Sequence, residues 1–317
     1  MKHLYEYALE YILESKKNDE KFSDETLKHI YKFLSSLADK DSLGDYVKQL
    51  NAMLEDKDAK QILIKAFGKA KHGYKFDGAF KNIPVKDLHP TQSEIDVDKS
   101  IGYPFKNAKT AKLNGEKYYG SEPVVMPFPL ITFDGKYILD GHHRWSQVFA
   151  FNPDAKMECL DIKLAKDSDI KKLSPNDALK ICQGVLAAKR AQDGKGKIPQ
   201  SKVEGANVFN MSEEQIKNAV GEYINKDKDH KEAAEELKKC ANLDSVDEFK
   251  DLIAKNLLKL QEDNKKYSDA GNPRGDMPQT DKGGDDPEKQ ETARPEKPGS
   301  ALNTFIKGTV SDKVLKK

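Results

Sequence analysis

The apolar positions change their spacing along the chain, and the spacing divides it into regions. Leu27, Ile30, Tyr31, Leu34 and Leu37 fall on one face at helical spacing, with Ser23 or Asp24 placed to cap the segment. Ser42 with Asp45 resembles a capping box before Tyr46, Val47, Leu50 and Leu54, and Ala59 to Phe67 repeats the pattern. Residues 1–71 therefore read as a region of short, antiparallel helices. Such stripes serve a scaffold or a docking surface more often than catalysis.

From 72 to 165 Gly and Pro become frequent and short β-prone runs appear. Val124-Val125 with Pro129-Leu130-Ile131 reads as one strand interrupted by prolines, at an edge or bent. Asp134-Gly135 predicts a hairpin turn between Ile131 and Tyr137-Ile138-Leu139. A helix over Trp145–Phe151 ends at Asn152-Pro153, and Met157, Cys159 and Ile162 mark a further strand. Residues 166–262 return to helical spacing. Ser174-Pro175-Asn176-Asp177 opens a helix carrying Leu179, Cys182, Val185 and Leu186; a loop follows over 191–204. Ser212 with Gln215 and Ser245 with Glu248 are two more capping boxes, the second before Phe249, Leu252, Ile253 and Leu257. Residues 263–300 carry almost no large apolar side chain and read as a disordered linker. The tail over 301–317, with Leu302, Phe305, Ile306, Val310 and Leu315, suits a docking peptide or a frayed terminus equally. The expected class is α+β: a small mixed core flanked by helical regions.

Composition narrows the possible partners. The net charge of +1 gives no general nucleic-acid field. Lys106, Lys109, Lys112 and Lys117 make one local basic segment, read either as a cover over a nucleotide or nucleic-acid backbone or as a solvated loop. The three cysteines, Cys159, Cys182 and Cys240, are odd in number and widely spaced, which suggests neither a disulfide framework nor a zinc site. No apolar run has the length of a membrane span, and Met1 to Glu6 lack the apolar core of a secretory signal. The expectation is a cytoplasmic protein with no membrane partner.

Asp140-Gly141-His142-His143-Arg144 is the segment with chemistry in it. It follows the apolar run Tyr137-Ile138-Leu139 and opens helical spacing at Trp145, Val148 and Phe149. A strand that ends in Gly at the start of a helix suits a phosphate, because the first helical N–H groups are unpaired and the helix dipole is positive there. Arg144 adds a bidentate fork, and His142 and His143 add further donors.

The run from Pro127 to Trp145, together with Leu88-His89-Pro90-Thr91-Gln92-Ser93-Glu94 upstream, resembles the core of the ParB/sulfiredoxin superfamily. That family joins a short strand pair through a turn to a Gly-x-x-Arg motif at a helix start, and carries a Pro-x-Gln element before it. The resemblance covers residues 80–165, about a third of the chain. Its branches differ in chemistry. ParB proteins bind CTP and DNA, sulfiredoxin uses ATP to repair an oxidised cysteine, and the free serine kinases phosphorylate a small hydroxyl compound. His142 stands where sulfiredoxin has its nucleophilic Cys, and ParB usually has Gly-Glu-Arg-Arg here. The motif is most similar to the kinase-like branch.

The resemblance implies a nucleoside triphosphate or diphosphate (ATP, ADP or CTP) with Mg²⁺. Gly141, His142, His143, Arg144 and Gln92 would contact it, and His143 would bond phosphate or move a proton near neutrality. Asp140 would hold Mg²⁺ or orient a hydroxyl, with a helix cap as its alternative. Glu94 sits where kinase-like relatives place an acidic base. Gln92 would contact nucleotide or orient its loop, and His89 reads as structural. Three functions follow. The first is Mg²⁺-dependent phosphoryl transfer or nucleotide hydrolysis. The second is a ParB-like DNA-binding protein or nuclease. The third is a structural or assembly protein with an inactive ParB-like fold and a protein partner on its helices or tail. The lysine-rich, mosaic chain suits a bacteriophage origin, which would place it in the host cytoplasm or the virion.

Overall fold

The computed structural model describes residues 42–67, 76–126, 128–168, 172–200, 202–267 and 271–278. The stripe over Leu27–Leu37 and the tail from Leu302 lie outside the described residues. The order of elements is α1 (Leu43–Met53), α2 (Lys57–Phe67), β1 (Phe76–Pro84), β2 (His89–Pro90), α3 (Val97–Ile101), α4 (Ala108–Tyr119), β3 (Leu130–Phe133), β4 (Tyr137–Asp140), α5 (His142–Phe151), β5 (Lys156–Leu164), α6 (Pro175–Gln192), α7 (Glu213–Asn225), α8 (Lys228–Cys240) and α9 (Val246–Tyr267). The described residues divide into two compact units, one within 80–161 and 202–274, the other within 42–79, 162–200 and 275–278.

In the second of these units, Ser42 caps α1 by accepting from the Asp45 amide at 3.2 Å, while the Asp45 carboxylate turns to Lys48. Only half of the expected capping box forms. Tyr46, Val47, Leu50 and Met53 are buried at helical spacing. Helix α6 begins at Pro175 behind its Ser174 cap, as the sequence predicts. Gly184 lets α2 approach it closely. A β-carbon there would stand 2.5 Å from Cε1 of Phe67.

The other unit is built on α5 and the sheet, whose order is β1-β5-β3-β4-β2. Strands β3 and β4 are antiparallel, and β2 runs parallel to β4. Asp134 and Gly135 take φ of 54° and 67°, and the Lys136 amide bonds Phe133 O at 3.2 Å. Two left-handed central residues make this a type I′ turn, the hairpin turn that the Asp-Gly pair predicts. Asp161 on β5 holds the turn. Its Oδ1 accepts from the Gly135 amide at 2.6 Å and from Thr132 Oγ1 at 3.0 Å, and its Oδ2 pairs with Lys81.

Three expectations are corrected here. Val124 makes an isolated parallel bridge to Met157 while β3 begins only at Leu130, so the segments read as one strand are separate. Proline has no N–H for a ladder and interrupts it. The basic segment is not a loop. Asn107 accepts from the Thr110 amide at 2.8 Å and starts α4, which buries Ala111, Asn114, Gly115 and Tyr118 and leaves Lys109, Lys112 and Lys117 exposed. The linker read over 263–300 does not start at 263. Helix α9 continues to Tyr267, and residues 271–278 are placed, with Asn272 and Met277 buried. The remainder of that segment lies outside the described residues.

Helix α5 is buried on almost every side. Trp145, Val148, Phe149 and Phe151 are in the hydrophobic core with Phe105, Phe249, Ile253 and Leu257. Trp145 Nε1 donates to Val85 O at 2.8 Å. Burying α5 fixes where its N-terminus emerges. Among the described residues, no helix is long and apolar enough to cross a membrane.

Candidate functional site

Strand β4 delivers the Asp-Gly-His-His-Arg segment to the start of α5. Gly141, not Asp140, is the helix N-cap, with φ of +99°. That value lies in the left-handed region, where a β-carbon is strained. A β-carbon on Gly141 would also stand 2.5 Å from Leu130 Cδ2 and 2.9 Å from Arg144 Nη2. Arg144 therefore lies folded back across Gly141, and its Nη2 donates to Pro129 O at 3.4 Å. The Asp140 carboxylate accepts from the Gly141 amide at 2.7 Å. The N-cap position falls on Gly141, so Asp140, the last residue of β4, does not take the helix-cap role that is its alternative reading.

The two histidines face the loop over residues 91–96. His142 is buried, and its Nε2 accepts from the Thr91 amide at 3.1 Å. Thr91 Oγ1 in turn donates to Ile138 O at 2.5 Å. Burial holds the His142 imidazole well below the usual histidine range, and the neighbouring His143, Arg144 and Arg274 act in the same direction. His143 Nε2 accepts from the Asp96 amide at 3.2 Å. Arg274 Nη1 lies 2.8 Å from that nitrogen and 2.9 Å from Nδ1. Burial, then Arg274, Lys99 and Arg144, push the His143 pKa down to about 3. This is away from the near-neutral value expected for proton transfer. Both rings are neutral acceptors that fix the backbone of the 91–96 loop.

The same loop uses the other expected residues. The Glu94 carboxylate accepts from the Arg274 backbone amide at 2.8 Å. Gln92 is buried, and its Nε2 donates to Glu94 O, so it orients the loop. Asp96 caps α3 through the Asp98 and Lys99 amides and accepts from the Gly205 amide with its other oxygen. Asn207 Oδ1 accepts from the Ile95 amide at 2.9 Å, and its Nδ2 donates to Ser93 O at 3.0 Å. Asn272 closes the opposite side, donating its amide to Thr91 O at 2.9 Å and accepting from the Ser93 amide at 2.8 Å. His89 is structural, with its amide on Lys136 O and its ring 6.0 Å from that of Tyr137.

The structure thus brings Gln92, Glu94, Gly141, His142, His143 and Arg144 into one neighbourhood, with Asp140 beside it. Among the described residues no group of three His, Cys, Asp or Glu side chains could hold a metal ion. A cation there would depend on Asp140 together with phosphate oxygens. Sequence reasoning missed Thr91, Asp96, Asn207, Asn272 and above all Arg274. One signal was present. The chain has four arginines, Arg144, Arg190, Arg274 and Arg294, among 54 basic residues. Where lysine serves for surface charge, a rare arginine marks a place that needs the planar fork. Two of the four meet here.

Comparison of the chain with protein-family models, curated proteins and solved structures finds no match.

Proposed function

We propose that this chain is a nucleotide-phosphate-binding protein of ParB-like type, with its anion site at the β4–α5 junction. One observation carries the reading: Gly141 opens α5 in a left-handed conformation that a β-carbon would obstruct, with the Arg144 guanidinium laid over it. A phosphate approaching there meets the positive end of a helix and a bidentate cation. Lys99, Arg144 and Arg274 add positive potential around the two imidazoles.

Binding is better supported than turnover. His143 has its pKa pushed down to about 3 and lies against the Asp96 amide and Arg274, so it does not carry an imidazolium proton for transfer near neutrality. Glu94 Oε2 accepts from the Arg274 amide, which ties that carboxylate to the 271–274 segment. A bound nucleotide would supply phosphate oxygens that share Mg²⁺ with Asp140.

The test is calorimetric titration of ATP, ADP, CTP and GTP with Mg²⁺ into wild type and Arg144→Ala. Affinity for at least one nucleotide should fall about tenfold or more in the variant, the effect of one charge-assisted bond. If wild type binds none of the four, the reading fails. Phosphate release in the same samples would extend it to an enzyme.

A further inference from the structure

Arg274 is the residue here whose surroundings explain it least. Its Nη1 is held against the two nitrogens of His143, a neutral ring with a single lone pair that the Asp96 amide already approaches. Among the described residues, the one carboxylate it engages, Glu94, bonds its backbone amide and not its guanidinium. No ion pair to that guanidinium is found among the described residues. The position also collects like charge, since Lys99, Arg144 and Arg274 all act on His143. A segment of the chain that merely plugged a helix N-terminus would be expected to bring a carboxylate, which the dipole favours. This segment brings a guanidinium, which the dipole disfavours unless an anion lies between.

We infer that Arg274 is the second cationic arm of the anion site, reaching in from the Asn272–Arg274 segment to bind the same phosphate group as Arg144. The inference rests on the phosphate reading above and adds a ligand residue to it. The segment is anchored for this task. The Gly271-Asn272-Pro273-Arg274 backbone is pinned through Asn272 to Thr91 and Ser93 and through the Arg274 amide to Glu94. Two separated guanidiniums suit a ligand with at least two phosphate oxygens to offer, such as a di- or triphosphate or inorganic pyrophosphate.

The experiment titrates ATP and inorganic pyrophosphate into wild type, Arg144→Ala, Arg274→Gln and Arg274→Lys, with a thermal melt of each. Gln keeps an N–H donor for His143 and removes the charge; Lys keeps the charge and removes the fork. Arg274→Gln should bind both probes about 10- to 100-fold more weakly, Arg274→Lys should fall between it and wild type, and both should melt near wild type. Histidine ¹⁵N resonances should show the His143 ring shifting on pyrophosphate addition in wild type and staying still in Arg274→Gln. Arg144→Ala weakened while Arg274→Gln binds as wild type, or more tightly, overturns the role of Arg274 alone. Wild type binding neither probe overturns the phosphate reading and the Arg274 assignment with it.

Discussion

Gly141 shows how one residue can be required for two reasons at once. Its φ of +99° excludes a comfortable side chain, and the space a β-carbon would need is filled by Leu130 and Arg144. Gly141→Ala should therefore lower unfolding stability by about 1–3 kcal/mol, the cost of a strained backbone residue, and displace Arg144. Chemical denaturation measures the first effect. A variant as stable as wild type would show that this turn does not hold the left-handed conformation. The histidines carry a different lesson. Adjacent imidazoles at a helix start suggest donors and proton carriers, yet burial makes both of them acceptors. The sequence shows the residue type, but the protonation state depends on surroundings that only folding provides.

Among the elements, the β3–β4 hairpin is specified twice. Locally, Asp134-Gly135 selects the turn type, and this part is legible in the sequence. At a distance, Asp161 on β5 holds the same turn through the Gly135 amide and Thr132, and nothing in the linear pattern announces it. Asp161→Ala leaves the buried Thr132 hydroxyl and the part-buried Gly135 amide without their acceptor, and the loss should be on the order of 2–3 kcal/mol. Lys81→Met should cost under about 1 kcal/mol, because Lys81 is half exposed and an exposed partner contributes little. Denaturation midpoints of the two variants compare these values directly. Equal losses would mean that the ion pair, not the turn, is what Asp161 supports. The helix caps were equally legible. Ser174, Ser212 and Ser245 each hold their helix starts as the spacing predicts, because capping acts within three residues.

At the scale of the whole molecule, the chain carries one tryptophan, Trp145, buried within α5 three residues after Gly141's neighbour His142. Its emission therefore reports the packing of the helix that bears the site. Both imidazoles titrate below the ordinary value of 6.5 in the folded chain, His143 at about 3. As pH falls through 6.5 the unfolded chain takes up these protons while the folded chain does not. Their contribution to stability is thus complete above 6.5 and is lost on acidification from 6.5 towards 3. The urea midpoint followed by Trp145 fluorescence should be lower at about pH 5.5 than at about pH 7.5, before most carboxylates titrate, and His143→Gln should reduce the difference. A midpoint unchanged between those conditions would mean that the rings are solvated. By itself, the sequence determined what acts over short range: helical spacing, caps, the Asp-Gly turn and a glycine leading a cationic helix start. The tertiary structure decided which distant residues meet there. Arg274 lies 131 positions from His143 in a segment whose composition reads as linker, since a short polar segment has no periodicity by which to declare its place. Its position is set by bonds to a loop that the buried α5 holds in turn, and such bonds exist only once the core has formed.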